Sequence, residues 1–171
     1  MHLLLLGLRG SGKSTLGRLA SKALSYPFID LDDRTTAHCG MDAARCFAEH
    51  GEDAWRTAEA AAIKEALAES PSVISLGGGT PTAPGVEELI LAARDDGRAR
   101  IIWLDATDDI LLSRAGSDPA RPALTALSGA AEIAAIRAIR DPIFGRLAGI
   151  RIDTTKGDLD QALVALLAHG D

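Results

Sequence analysis

Short apolar runs alternate with longer stretches of helical periodicity along this chain, and that alternation sets the expected elements before any single residue is weighed. Leu3 to Leu6 is an unbroken apolar run that stops at a glycine, and it predicts a strand buried in a core. Lys13 to Leu24 predicts the first helix. Tyr26-Pro27-Phe28-Ile29 predicts a second strand ending in Asp30-Leu31-Asp32-Asp33. Residues 41–49 and 51–69 predict helices split at Gly51, the second with Ala54, Trp55, Ala58, Ala62, Ile63, Ala66 and Leu67 at helical spacing. Ser72 to Leu76 predicts a third strand that runs into Gly77-Gly78-Gly79-Thr80-Pro81. The alternation continues with a helix over Gly85–Arg94, a strand over Arg100–Leu104, helices over Asp108–Arg114 and Ala130–Ile139, a strand over Ile150–Asp153 and a helix over Leu159–His169. Between them, Ala115 to Gly129 carries two prolines and small residues without a period, and it predicts a mobile segment. The pattern describes an α/β fold, a parallel sheet covered by helices on both faces. Strand order is not contained in it.

The chemistry is written directly after the first strand. Gly7 to Thr15 reads GLRGSGKST, and Gly7, Gly12, Lys13 and Ser14 fill every fixed position of the phosphate-binding pattern G-x-x-x-x-G-K-[ST]. Glycines, Gly10 included, let the backbone curl round a phosphate with its N–H groups inward, and the helix that follows adds the partial positive charge of its N-terminus. Gly10, Ser11, Gly12 and Thr15 belong to this loop, Lys13 reaches the outer phosphates, and Ser14 offers a hydroxyl to Mg²⁺. A nucleoside triphosphate site is the expectation. Three consecutive glycines at 77–79 mark a second place where backbone can approach a ligand closely.

Bulk properties narrow this reading. The 171 residues suit one domain, 47% are hydrophobic and 25% charged, and the net charge of −6 excludes a non-specific nucleic-acid binder, which needs a basic surface. Cys39 and Cys46 are too few for a zinc set, form no C-x-x-C pair, and suit reduced thiols in a cytoplasmic protein. The apolar start lacks a basic leader region and runs straight into the loop, so a core strand is expected there rather than a signal peptide. No run approaches the roughly 18 to 20 apolar residues of a membrane span.

A metal at the phosphates needs a carboxylate. Asp30 and Asp105 both follow apolar runs; Asp30, with Asp32 two residues on, is the choice for the metal shell, and Asp105 is read as a loop-start or helix-capping residue. Arg56, Arg114, Arg121 and Arg140 fall on segments expected around the ligand face, Arg121 inside the mobile segment. A guanidinium that arrives with a closing lid is suited to the charge of a transferring phosphoryl group. His2, His38, His50 and His169 have no ligand spacing.

Taken together, these residues resemble the shikimate kinases, within the nucleoside monophosphate kinase structural group. The resemblance runs through GLRGSGKST, Asp30-Leu31-Asp32, Phe47 with Gly51-Glu52, Trp55-Arg56 and Glu59, then Leu76 to Gly79, Trp103-Leu104, Arg114, Arg121-Pro122 and Arg140-Asp141-Pro142-Ile143-Phe144. It implies a three-layer P-loop fold with a five-stranded parallel sheet of order 2-3-1-4-5 and a single kinase domain over 1–171. Within that domain it implies a lid at about 115–129 and substrate-binding helices at about 33–62. It also implies a monomer transferring the γ-phosphate of ATP to the 3-hydroxyl of shikimate with Mg²⁺, and no nucleic-acid or membrane partner. By the same resemblance Lys13 contacts the β and γ phosphates, Ser14 and Asp30 serve the metal, and Asp32 holds shikimate hydroxyls and accepts the proton. Arg56 and Arg140 bind the shikimate carboxylate, Glu59 orients Arg56, the backbone of Gly77, Gly78 and Gly79 meets the ring hydroxyls, Arg114 lies by the adenine, and Arg121 meets the transferring phosphate. The chain departs from the family pattern at Thr35 and Thr36, Trp55, Ala123 and Phe144, and it lacks the proline that often follows the last strand. Two other readings share the phosphate loop: a kinase of the same fold for another polyol acid such as gluconate, and a nucleotide-binding regulatory module without catalysis.

Overall fold

The computed structural model describes residues 1–115 and 128–169. Its centre is one parallel sheet of five strands, β1 (His2–Leu6), β2 (Phe28–Asp30), β3 (Val73–Ser75), β4 (Ala99–Asp105) and β5 (Ile150–Asp153), in the order β2-β3-β1-β4-β5. Among the described residues eight α-helices connect and cover it: α1 (Lys13–Leu24), α2 (Leu31–Cys39), α3 (Ala43–His50), α4 (Glu52–Ala66), α5 (Val86–Asp95), α6 (Asp108–Ala115), α7 (Gly129–Leu147) and α8 (Leu159–Leu167). The four leucines of β1 alternate across the sheet. Leu3 and Leu5 join Leu16 and Ala20 of α1 and Ala162 and Leu166 of α8 on one face. Leu4 and Leu6 join Ile63 of α4, Ile90 of α5 and Phe144 of α7 on the other. A strand buried on both faces has no polar side to show, which is why β1 reads as a continuous apolar run. Among the described residues no helix is long and apolar enough to cross a membrane.

β1 lies between β3 and β4, so the chain leaves it in one direction and later returns to its other side. That reversal opens a crevice at the carboxyl ends of the strands, where α/β sheets bind ligands. The phosphate loop after β1, Asp30 at the end of β2, the triple glycine after β3 and Asp105 at the end of β4 all reach this edge.

Two elements differ from what the apolar pattern alone predicts. The residues after Asp30 form a helix, α2, because Asp30 caps it by accepting from the Asp32 amide at 3.2 Å, with Asp32 and Asp33 favourably placed in its first turn. Its apolar signal is faint, since Leu31 and Thr35 are its buried residues and the Thr35 hydroxyl is satisfied by the Leu31 carbonyl at 2.8 Å. Helix α7 runs on to Leu147, well past Ile139, and passes through Pro142. The proline removes one amide, the usual partner of the Ala138 carbonyl, but Phe144 and Leu147 beyond it are fully buried and hold the helix on course. Gly51, at φ 83°, ends α3 and starts α4, as its spacing predicts. Cys39 and Cys46 are free thiols.

Candidate active site

The phosphate loop is held open by glycine backbone. Gly10 and Gly12 sit at φ 84° and 93°, a region that side chains disfavour, and a Cβ on Gly10 would lie 2.8 Å from the Leu111 carbonyl. Lys13 Nζ donates to the carbonyls of Gly7 (2.9 Å) and Leu8 (3.0 Å), which keeps the ammonium at the loop. The loop is also tied to the far side of the sheet, because the Thr154 hydroxyl beyond β5 donates to the Ser11 carbonyl at 3.1 Å. Arg114, at the end of α6, donates to the carbonyls of Thr154 (2.8 Å) and Thr155 (3.3 Å) and lines the cleft that the loop opens on.

That cleft has a volume of about 460 Å³ and is lined by Lys13, Ser14, Thr15, Asp30, Asp32 and Gly78 together with the loop glycines. Ser14 Oγ donates to Asp30 Oδ2 at 2.9 Å, so the hydroxyl and the carboxylate favoured for a metal meet at the mouth of the loop. Both are hard oxygen donors. Mg²⁺ keeps several waters and needs few protein ligands, so this pair fits it. Asp105 does not share the site. It is 3% exposed and receives Arg137, at 3.1 Å, and Arg151. Its charge is therefore committed to an ion cluster at the end of β4 rather than to a loop start or a helix cap.

Beside the loop, around the triple glycine, stands a second group of side chains. Arg56 of α4 donates to Glu59 Oε2 at 2.6 Å and to Glu52 Oε1 at 2.6 and 3.0 Å, and Glu59 Oε1 accepts from Thr80 at 2.7 Å. Burial opposes the charge on Arg56, but Glu59 and Glu52 outweigh it and its pKa is raised. Arg140 of α7 is 9% exposed and makes no hydrogen bond or ion pair to a described residue. Burial first, then the charge of Arg56, pushes Arg140 down to about 10. Two guanidiniums thus face one spot, one anchored by ion pairs and one without a contact ion pair among the described residues, with Glu59 and Glu52 only partly offsetting its burial. The triple glycine brings backbone against them: a Cβ on Gly78 would lie 3.2 Å from Arg140 and 3.6 Å from the Gly7 carbonyl, and a Cβ on Gly79 would collide with the Arg56 guanidinium. Gly77 is walled by Asp32 Oδ1 and Glu59 Oε1, at 2.5 and 2.9 Å from where its Cβ would stand. A side chain at any of the three would push aside the groups that line the crevice.

The structure therefore brings Lys13, Ser14, Asp30, Asp32, Arg56, Glu59, Gly77, Gly78, Gly79 and Arg140 to one crevice, with Arg114 at its edge. Arg121, and the part of the expected lid over 116–127, lie outside the described residues. Arg9 also lines the cleft; it occupies an unconstrained position of the loop pattern, so nothing in the sequence marked it. Of the Arg137 cluster only the Asp141 pair, four residues on along the same helix, is local in sequence; Asp105, Ala106 and Asp108 are brought by the fold.

A phosphate loop facing an acceptor pocket across the carboxyl edge of a 2-3-1-4-5 sheet defines a P-loop phosphotransferase, an ATP-dependent kinase. The family comparison makes this particular. The shikimate kinase model matches residues 9–168, and the chain belongs to that family. It is 36% identical to a shikimate kinase of Rhodopirellula baltica over 97% of this chain and 88% of the relative. In three dimensions it is similar to shikimate kinase from Acinetobacter baumannii in complex with shikimate, with TM-score 0.87 and 27% identity over 98% of this chain and 91% of that one. A gluconokinase from Sinorhizobium meliloti, with TM-score 0.61 and 18% identity over 99% of this chain and 90% of that one, shares the fold alone.

Proposed function

We propose that this chain is a single kinase domain transferring the γ-phosphoryl group of ATP to the 3-hydroxyl of shikimate. The observation that carries the reading is the convergence of Arg56 and Arg140 on Gly79 and Gly78, beside the phosphate loop and next to Asp32 at Gly77. Two guanidiniums, one of them without a contact ion pair among the described residues, suit a substrate that bears a carboxylate, and a planar fork matches a carboxylate better than an ammonium does.

In this reading the loop amides from Gly10 to Thr15 cradle the phosphates, and Lys13 takes the β and γ oxygens from its post beside Gly7 and Leu8. Ser14 and Asp30 hold Mg²⁺, which neutralises charge on those phosphates when bound. Arg114, fixed on Thr154 and Thr155, borders the adenine. Arg56, oriented by Glu59 and Glu52, binds the carboxylate with Arg140, and the backbone at 77–79 faces the ring hydroxyls. Asp32 then accepts the proton of the attacking hydroxyl as the new O–P bond forms and ADP departs. The helices between about 33 and 62 form the acceptor side, and Arg121 is assigned to the transferring phosphoryl group by family resemblance.

The deciding experiment measures ADP release and phosphorylated product from ATP and Mg²⁺ with shikimate or gluconate. Shikimate alone is expected to support turnover, with one shikimate 3-phosphate per ADP. Turnover with gluconate and none with shikimate would reverse the assignment, and binding of ATP without turnover on either would leave a nucleotide-binding module.

A second test addresses the acceptor side. Gly79 sits at φ −100°, which alanine adopts freely, so Gly79→Ala strains no backbone and acts only by displacing the Arg56 guanidinium. It is expected to raise KM for shikimate by about tenfold or more, because small misplacements of binding groups are costly. KM for ATP should stay within about twofold. An unchanged shikimate KM would remove Arg56 from the pocket.

A further inference from the structure

Helix α7 is fastened unevenly. Between Gly129 and Ile139 none of its side chains is fully buried, and Ile133 and Ile136 only edge onto the core. Beyond Arg140, Phe144 and Leu147 lock it down. The first half is held by Arg137. Its guanidinium donates to Asp108 Oδ1 at 2.6 Å, to the Ala106 carbonyl at 2.6 Å, to Asp105 Oδ1 at 3.1 Å and to Asp141 Oδ2 at 3.1 Å. Only Asp141 lies on the same helix. Asp105 is itself gripped by Arg151 of β5, so Arg137 rivets α7 to the end of β4 and to the first turn of α6.

Arg140 follows three residues later, close to the same helix face. It lies between the rivet and the apolar anchor, next to the point where Pro142 deprives the Ala138 carbonyl of its amide. It also carries a buried charge facing the charge of Arg56. Repulsion on a weakened stretch of helix is relieved by moving the loosely packed half outward, and the Arg137 contacts oppose that movement. We infer that Arg137 is a positioning residue, which holds Arg140 against the repulsion of Arg56 so that the two guanidiniums stay set for the acceptor's carboxylate. This rests on the reading of Arg140 as a carboxylate ligand.

The test is a double-mutant cycle read in KM values. Arg137→Ala is expected to raise KM for shikimate about tenfold and leave KM for ATP within about twofold, with Arg137→Lys between it and wild type. Added to Arg140→Lys, the same truncation should cost less than about twofold, because its effect passes through the arginine already lost. Full additivity, a parallel rise of both KM values, or an unchanged shikimate KM in folded protein would overturn the inference. Should Arg137→Ala fail to fold, Asp108→Asn removes one half-exposed partner and is expected to raise shikimate KM about threefold; no rise would count against it equally. Arg140→Lys alone reports on the functional reading: if it leaves shikimate KM unchanged, that reading fails and the inference with it, whereas a rise in Arg140→Lys without one in Arg137→Ala defeats the inference only.

Discussion

Asp32→Asn is expected to lower kcat by a factor on the order of 10² or more, with KM for ATP near the wild-type value. The amide keeps the size of the side chain, and the Asp32 amide nitrogen still caps onto Asp30 Oδ1, so helix α2 should persist. What is lost is a charged acceptor beside Gly77, in the cleft that Lys13, Ser14 and Gly78 also line. Proton removal belongs to the transition state, so the loss should fall on kcat and kcat/KM together rather than on ground-state affinity for nucleotide. The neighbouring Asp33→Asn is the matched control, because Asp33 is exposed and lies one residue further along the same turn. It should leave kcat within about twofold. Near wild-type turnover in Asp32→Asn would remove that carboxylate from proton transfer, and equal losses in both variants would point to damage to α2.

The two halves of the crevice were legible to different degrees. The phosphate loop is local, nine residues whose spacing fixes its geometry, and α1 begins and ends where Lys13 to Leu24 predict. Strand order was reached only through family resemblance, because β1 is equally apolar whichever strands flank it. Helix α2 was reached only through the resemblance, which implies helices over about 33–62, because Leu31 and Thr35 give too little apolar period; the local signal that marks it is a capping aspartate at 30, acids in the first turn and Gly40 at its end with φ 68°. The helix expected over Ala130–Ile139 stops short of Pro142; in the fold the burial of Phe144 and Leu147 outweighs the missing amide, and no local rule conveys that balance.

Asp105 is the clearest case of a role that sequence proximity hides. An acid after an apolar strand is compatible with a metal ligand, a cap or an ion pair, and the choice depends on whether a cation reaches it. Here Arg137 comes from 32 residues away and Arg151 from 46, so the deciding partners are distant in sequence and adjacent only in the fold. Asp30 makes no ion pair among the described residues; its oxygens meet the Ser14 hydroxyl and the Asp32 amide.

Arg140→Met is expected to make the ligand-free protein more stable and to make it a poor enzyme. In the wild type the guanidinium is buried and without an ion pair among the described residues, and its pKa, pushed to about 10, lies below the ordinary arginine value. A cation with a depressed folded pKa subtracts stability in full below that pKa, and the penalty fades as pH rises through it, so the cost is present at neutral pH. An apolar side chain of similar length removes the charge and its repulsion of Arg56, a change expected to stabilise by about 1 to 3 kcal/mol, as replacement of buried charges by apolar groups often does. In a domain of this size that is a rise of about 3 to 10 °C in Tm. Shikimate should then raise the Tm of the wild type by mass action and do little for the variant. Loss of half the carboxylate clamp is expected to lower kcat/KM for shikimate by at least about 30-fold. Arg140→Lys keeps the charge and loses the fork, so it should share the catalytic defect without the gain in stability. Thermal melts of the three proteins at neutral pH, with and without shikimate, decide the matter. If Arg140→Met melts below the wild type when both are free of ligand, the charge is already compensated in the resting protein, and the site was not built to await an anion.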